Sequence, residues 1–100
     1  MKRNWNTKSN GSSFDDATIE AVWEKARPVP GVSGFSKDAC GALIQRSKYG
    51  LTEKYGWEID HIIPVSQGGA EDLSNLQPLQ WENNRHKADN WPEWECKVRD

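Results

Sequence analysis

The sequence predicts a small α+β domain: a two-stranded antiparallel hairpin followed at once by a helix, with a further helix near the N-terminus. Three observations carry this. Residues Trp57-Glu58-Ile59-Asp60-His61-Ile62-Ile63 form an apolar, β-branched run of strand length. Ser66-Gln67-Gly68-Gly69 then supplies turn chemistry. Beyond it, Asn75-Leu76-Gln77-Pro78-Leu79 reads as extended, because Pro78 disfavours a helix before it, and a helical pattern starts only near Gln80.

Taken in order, residues 1–13 are polar, with Lys2, Arg3 and Lys8 and no acid, and read as a mobile basic arm. Residues 14–100 then make one domain, a size near the lower end for a self-sufficient core. Asp15 and Asp16 offer N-caps for a helix over about 16–26. Ile19, Val22, Trp23 and Ala26 follow at i, i+3, i+4, i+7, so they share one helical face and Trp23 reads as core. Arg27-Pro28 ends that helix, and Val29 to Lys37 is a Pro/Gly/Ser connector. Residues 42–44 suggest a short strand, 57–63 and 75–79 the hairpin, and 80–88 the helix, stopped by Asn90 and Pro92. Trp91, Trp94 and Val98 suggest a last short helix packing back on the core.

The totals exclude several classes. No apolar run approaches membrane-span length and no signal peptide follows the basic start, so a soluble, cytoplasmic protein is expected. Cys40 and Cys96 stand alone without a C-x-x-C pair, which gives no zinc ribbon and, in a cytoplasm, two free thiols. Net charge is −2, but residues 1–50 carry eight Lys/Arg against five Asp/Glu and residues 51–100 five against ten. A basic half can approach phosphates, whereas an acidic half needs a cation to tolerate them. The six tryptophans supply large buried area to a small core.

The candidate chemistry sits in the strand. Asp60 and His61 are titratable residues among isoleucines, costly to bury unless something satisfies them. Taken alone they fit a half-buried strand with one solvated Asp and one hydrogen-bonded His. Strict alternation also sends Asp60 and His61 to opposite faces, so one shared site requires the strand's edge.

Asn75 and Asn84 complete a longer pattern, with gaps of 75 − 61 = 14 and 84 − 75 = 9 residues. Glu58-Ile59-Asp60-His61-Ile62-Ile63-Pro64, then Gly68-Gly69, then Asn75-Leu76-Gln77-Pro78-Leu79, then Asn84-Arg85-His86-Lys87 resembles the HNH nuclease family, whose fold is the ββα-metal core. The resemblance covers about residues 57–88. It implies a metal-dependent endonuclease acting on phosphodiester bonds in DNA. His61 would be the general base, since neutral imidazole titrates near working pH. Asp60 and Asn84 would be oxygen ligands for Mg²⁺ or Mn²⁺, with Asn84 in place of the family's last His. Asn75 would tie the loop to the strand and so fix His61. Arg85 and Lys87 would meet nucleic acid, Lys87 three residues after Asn84 on the same helical face. For Lys87 a solvated surface lysine is the competing reading. His86, about 200° round the helix from Asn84, should point away.

The sequence departs from the family at one point. Many members staple this core with a zinc ribbon, whose four positions here hold Arg46, Tyr49, Gln80 and Asn83, none a thiolate. No structural zinc is therefore expected, and the tryptophans and N-terminal helix must carry the scaffold. Two other classes compete: a non-catalytic nucleic-acid-binding module on the same fold, and a structural protein whose Asp-His pair is incidental. Oligomeric state is left open.

Overall fold

The computed structural model describes residues 4–100. Helix α1 spans Asp16–Trp23, followed by three short strands, β1 (Arg27–Pro28), β2 (Phe35–Lys37) and β3 (Leu43–Gln45). Then come β4 (Trp57–His61), β5 (Leu76–Gln80) and helix α2 (Trp81–Lys87). β1, β2 and β3 form one antiparallel sheet in that order, and β4 and β5 form the expected antiparallel hairpin. Its register sets Trp57 opposite Gln80, Asp60 opposite Gln77 and His61 opposite Leu76.

Asp15 caps α1 by accepting a hydrogen bond from the Thr18 amide at 2.8 Å. The helix is shorter than the 16–26 read from its apolar spacing. Glu24 closes it, yet Ala26 is still buried in the core beyond its end. That core gathers Phe14, Ile19 and Val22 with Ile44, Trp57, Ile59 and Leu76. Trp23 and Tyr49 pack their rings on Trp57, with centroids 5.2 and 4.9 Å away.

The whole of β4 is buried, so the solvated face expected for half of it does not exist. Alternation still operates. Trp57 and Ile59 enter the core with α1, while Glu58 and Asp60 bond to side chains of α2. A strand covered on both faces carries polar groups only where a partner satisfies them.

Three expectations need correction. The connector 29–37 contains β2, a strand too short to show periodicity. Within the stretch expected to be a mobile arm, Asn6 Oδ1 accepts from the Ile59 amide (2.7 Å) and the Tyr49 hydroxyl (3.0 Å). Residues 1–3 of that arm, with Lys2 and Arg3, lie outside the described residues. The last segment forms no helix; its Lys97 and Val98 amides bond to Asn83 of α2. The cysteines are not free thiols, because Cys40 and Cys96 are joined in a disulfide across Cα atoms 5.8 Å apart.

Near that disulfide, hydrogen bonds tie α2 to the loop before β3. Asn83 is fully buried and uses its whole amide. Its Oδ1 accepts from the Lys97 and Val98 amides (2.8 and 2.7 Å), and its Nδ2 donates to Val98 O and Asp38 Oδ2 (2.9 and 3.1 Å). Asp38, 2 % exposed, also accepts from the amides of Cys40, Ala42 and Gln80. Gln80 caps α2 through bonds from the Glu82 and Asn83 amides. Two of the ribbon positions, Gln80 and Asn83, thus bind α2 to the loop before β3 by hydrogen bonds.

Candidate active site

The loop from β4 to β5 is built around Asn75. Its Oδ1 accepts from the Ile63 amide (2.8 Å), and its Nδ2 donates to Ile63 O (3.0 Å) and Ala70 O (2.8 Å). The Ile62 amide adds a bond to Asn75 O (2.8 Å). Gly68 closes the preceding turn with φ +86°, and a Cβ at Gly69 would overlap the Ile63 carbonyl oxygen. The two glycines let the loop fold back tightly on the end of the strand that carries His61.

His61 is 5 % exposed and its Nε2 lies 3.0 Å from Glu71 Oε2. A carboxylate only accepts, so Nε2 carries the proton and donates. Neutral His61 therefore has its lone pair on Nδ1, which has no hydrogen-bond partner among the described residues. Partial burial pushes the Glu71 carboxyl up, but bonds from Ser9 and from His61 outweigh this and hold it below its ordinary value. Glu71 is thus ionised around neutral pH and fixes both the tautomer and the orientation of the ring.

Asp60 stands on the α2 side. Its Oδ2 accepts from Gln77 Nε2 (2.9 Å) and its Oδ1 from Lys87 Nζ (3.2 Å). Burial raises the Asp60 carboxyl above its ordinary value, opposed by the Gln77 bond, the Lys87 charge and His61. Asn84 is 3 % exposed and donates from Nδ2 to Glu58 Oε1 at 2.8 Å. Because Glu58 can only accept, this contact fixes the amide, and Asn84 Oδ1 is left without a partner among the described residues. Asp60, His61 and Asn84 border one cavity of about 480 Å³, together with Trp5 and Ser9 of the N-terminal stretch and Ser66 of the loop.

The sequence expectation for Lys87 is overturned. It is not a solvated lysine: it is fully buried, with Nζ 3.0 Å from His61 O as well as 3.2 Å from Asp60. The helical spacing from Asn84 was right about the face, but that face turns inward onto β4. Arg85 pairs with Glu58 Oε2 at 2.9 Å and lies over the rings of Trp5 and Trp81. His86 is exposed. Sequence reasoning missed Glu71, Glu58 and Gln77 as partners of the candidate residues. Register pairs Gln77 with Asp60 once the hairpin is drawn, whereas no spacing rule links Glu71 to His61.

Two protein oxygens, from Asp60 and Asn84, suit a hard cation that keeps water and takes phosphate oxygens for its remaining positions. Among the described residues no group of three or more His, Cys, Asp or Glu side chains is placed to hold a metal ion.

No curated protein and no solved structure matches the chain. A family model described as HNH endonuclease matches residues 39–90, from the loop that holds Asp38 and Cys40 through α2. That span covers β4, the glycine loop, β5 and α2, with nuclease-type function in general as its implication. By this match, and by the ββα arrangement of its hairpin and second helix, the chain belongs to the HNH endonuclease family.

Proposed function

We propose that this protein is a metal-dependent endonuclease that hydrolyses phosphodiester bonds in DNA. The observation that carries the reading is the shared cavity of Asp60, His61 and Asn84, with His61 Nε2 committed to Glu71. With that nitrogen occupied, Nδ1 is the atom that takes a proton from an attacking water. Asp60 and Asn84 would hold the divalent cation through Asp60 carboxylate oxygen and Asn84 Oδ1. Bound there, it would stabilise the charge that builds on the phosphate and the leaving oxygen. Asn75 acts at one remove, holding the loop against Ile63, next to the end of β4. Arg85, partly exposed beside the cavity, is the candidate contact to nucleic acid.

One site nicks one strand at a time. The sequence reading sets the enzyme in the cytoplasm, and the Cys40–Cys96 disulfide pulls the other way, since such bonds persist mainly in oxidising compartments. Alkylation and mass spectrometry of protein taken directly from cells should find the bridge intact, and two alkylated thiols there would return the protein to a reducing compartment. No helix among the described residues is long and apolar enough to cross a membrane.

The test is incubation of supercoiled plasmid with the purified chain in Mg²⁺, in Mn²⁺ and in chelator. Nicking is expected with metal and none with chelator. His61→Ala should cut the rate by ~10²–10⁴-fold, or about 3–5.5 kcal/mol of barrier, with metal and DNA binding retained. A folded His61→Ala protein that nicks as fast as the parent removes His61 as the base. DNA binding without nicking in any metal would favour the non-catalytic module.

A further inference from the structure

Trp5 is 46 % exposed, unusual for the side chain with most to gain from burial, and it lies at the rim of the cavity that Asp60, His61 and Asn84 share. Its placement is held from two directions. The next residue, Asn6, sits at φ +57° and is bonded through its side chain to the Ile59 amide of β4, one residue before Asp60. The indole itself lies over the Arg85 guanidinium, 5.5 Å from the ring centroid. Arg85 is in turn braced by Glu58 at 2.9 Å and by the Trp81 ring at 5.7 Å. A flat aromatic surface, backed by a cation and fixed to the strand that carries the candidate base, therefore stands open beside the phosphodiester site.

Building on the endonuclease reading above, we propose that Trp5 is a stacking platform for a nucleobase next to the scissile phosphate, so that the preferred substrate is DNA whose bases are unpaired. Aromatic stacking is sequence-tolerant because every base offers a π-face. A base inside a duplex already uses both faces on its neighbours and must be unstacked before an indole can take one. Strand ends, gaps, flaps and single strands offer that face at no such cost. The described part of the N-terminal stretch suits this role, being a polar segment with one large aromatic fixed where it borders the cavity.

The experiment separates binding from cleavage. Binding is read by fluorescence anisotropy in the full chain carrying His61→Ala, with a labelled oligo-dT strand, a blunt duplex, and a strand of the same sugar-phosphate backbone without bases. The oligo-dT strand should bind more tightly than the duplex. Adding Trp5→Ala should weaken oligo-dT binding by about 5- to 150-fold, the worth of one stacked base. Trp5→Phe, which keeps a ring, should lose less, and the baseless strand should bind with and without Trp5 alike. Equal oligo-dT affinity with Trp5 or Ala overturns the proposal. So does an equal loss on the baseless strand, which would assign Trp5 a structural or phosphate-directed role. Cleavage by the parent chain is scored separately. If no DNA is cut while the Trp5 pattern holds, the endonuclease reading fails and the platform stands; if DNA is cut without the pattern, the platform alone fails.

Discussion

Asp60→Asn should unfold this protein far more readily than loss of one surface charge would, because it strands the Lys87 ammonium. Lys87 is wholly buried, and among the described residues its ammonium meets only Asp60 Oδ1 at 3.2 Å and the His61 carbonyl at 3.0 Å. Removing one member of a buried pair leaves the other uncompensated and costs about 3–5 kcal/mol. For a domain of this size, each kcal/mol moves the melting temperature by about 4–8 °C, so a fall of about 12 °C or more is expected. Pairing the change with Lys87→Met removes both charges at similar volume. The double variant should recover at least ~2 kcal/mol of the loss, short of full rescue because His61 O loses its ammonium donor. Urea denaturation of the parent, both single variants and the double variant closes the cycle, with slopes checked for constancy. An Asp60→Asn loss below about 1 kcal/mol, or a double variant as unstable as the two singles summed, would refute a buried, charged Lys87. The same cycle bears on the metal. Lys87 already sits on the carboxylate that a cation would bind, so Lys87→Met should strengthen Mn²⁺ binding measured by calorimetry.

Glu71→Gln should slow plasmid nicking by less than the ~10²–10⁴-fold owed to the base itself, with KM little changed, because the amide can present nitrogen to His61 and lose the fixed tautomer; a parent-like kcat would remove Glu71 as the positioning group. Reducing the Cys40–Cys96 bridge should lower stability by about 2–4 kcal/mol, since the bond closes a loop with a sequence separation of 56, and an unchanged urea midpoint in reductant contradicts this. At acid pH, Asp15, held low by its hydrogen bonds from Thr18, and Glu71, held low by Ser9 and His61 against its burial, take up protons on unfolding. Their stabilisation is complete above the ordinary carboxylate values and is lost as pH falls through the depressed ones, so the melting temperature should drop below about pH 4.5. Glu71→Gln should flatten that drop.

What could be read from the chain alone was what short-range chemistry dictates. The strand through His61, read as 57–63 and found to stop at His61, the glycine turn and the helix after Pro78 each rest on residues within a few positions of one another. The reach of α1 was overestimated because Ala26 is apolar and buried without being helical. β1 and β2 were missed because strands of two and three residues have no period to detect. Lys87 was misjudged for a different reason: its partner lies 27 residues away, and a helical wheel gives a side chain's angle but not what covers it. Asp38, Asn83 and the two cysteines share this blindness, since their bonds join segments up to 56 residues apart that only the folded topology brings together. Glu71 lies nearest to a readable case, ten residues past His61, but a loop conformation decides whether it reaches back.

The bridge between Cys40 and Cys96 also makes most of this molecule a covalent ring. β4, the glycine loop, β5 and α2 all lie within it, while Trp5 and α1 hang outside. A protease that cuts once between residues 41 and 95 would open the ring without dividing the protein, and both pieces would migrate together until a reductant was added. A cut between Trp5 and α1, by contrast, would release the indole and leave the ring that carries Asp60, His61 and Asn84 whole. Limited proteolysis followed by electrophoresis with and without reductant would therefore sort cleavage points by which side of the ring they fall on.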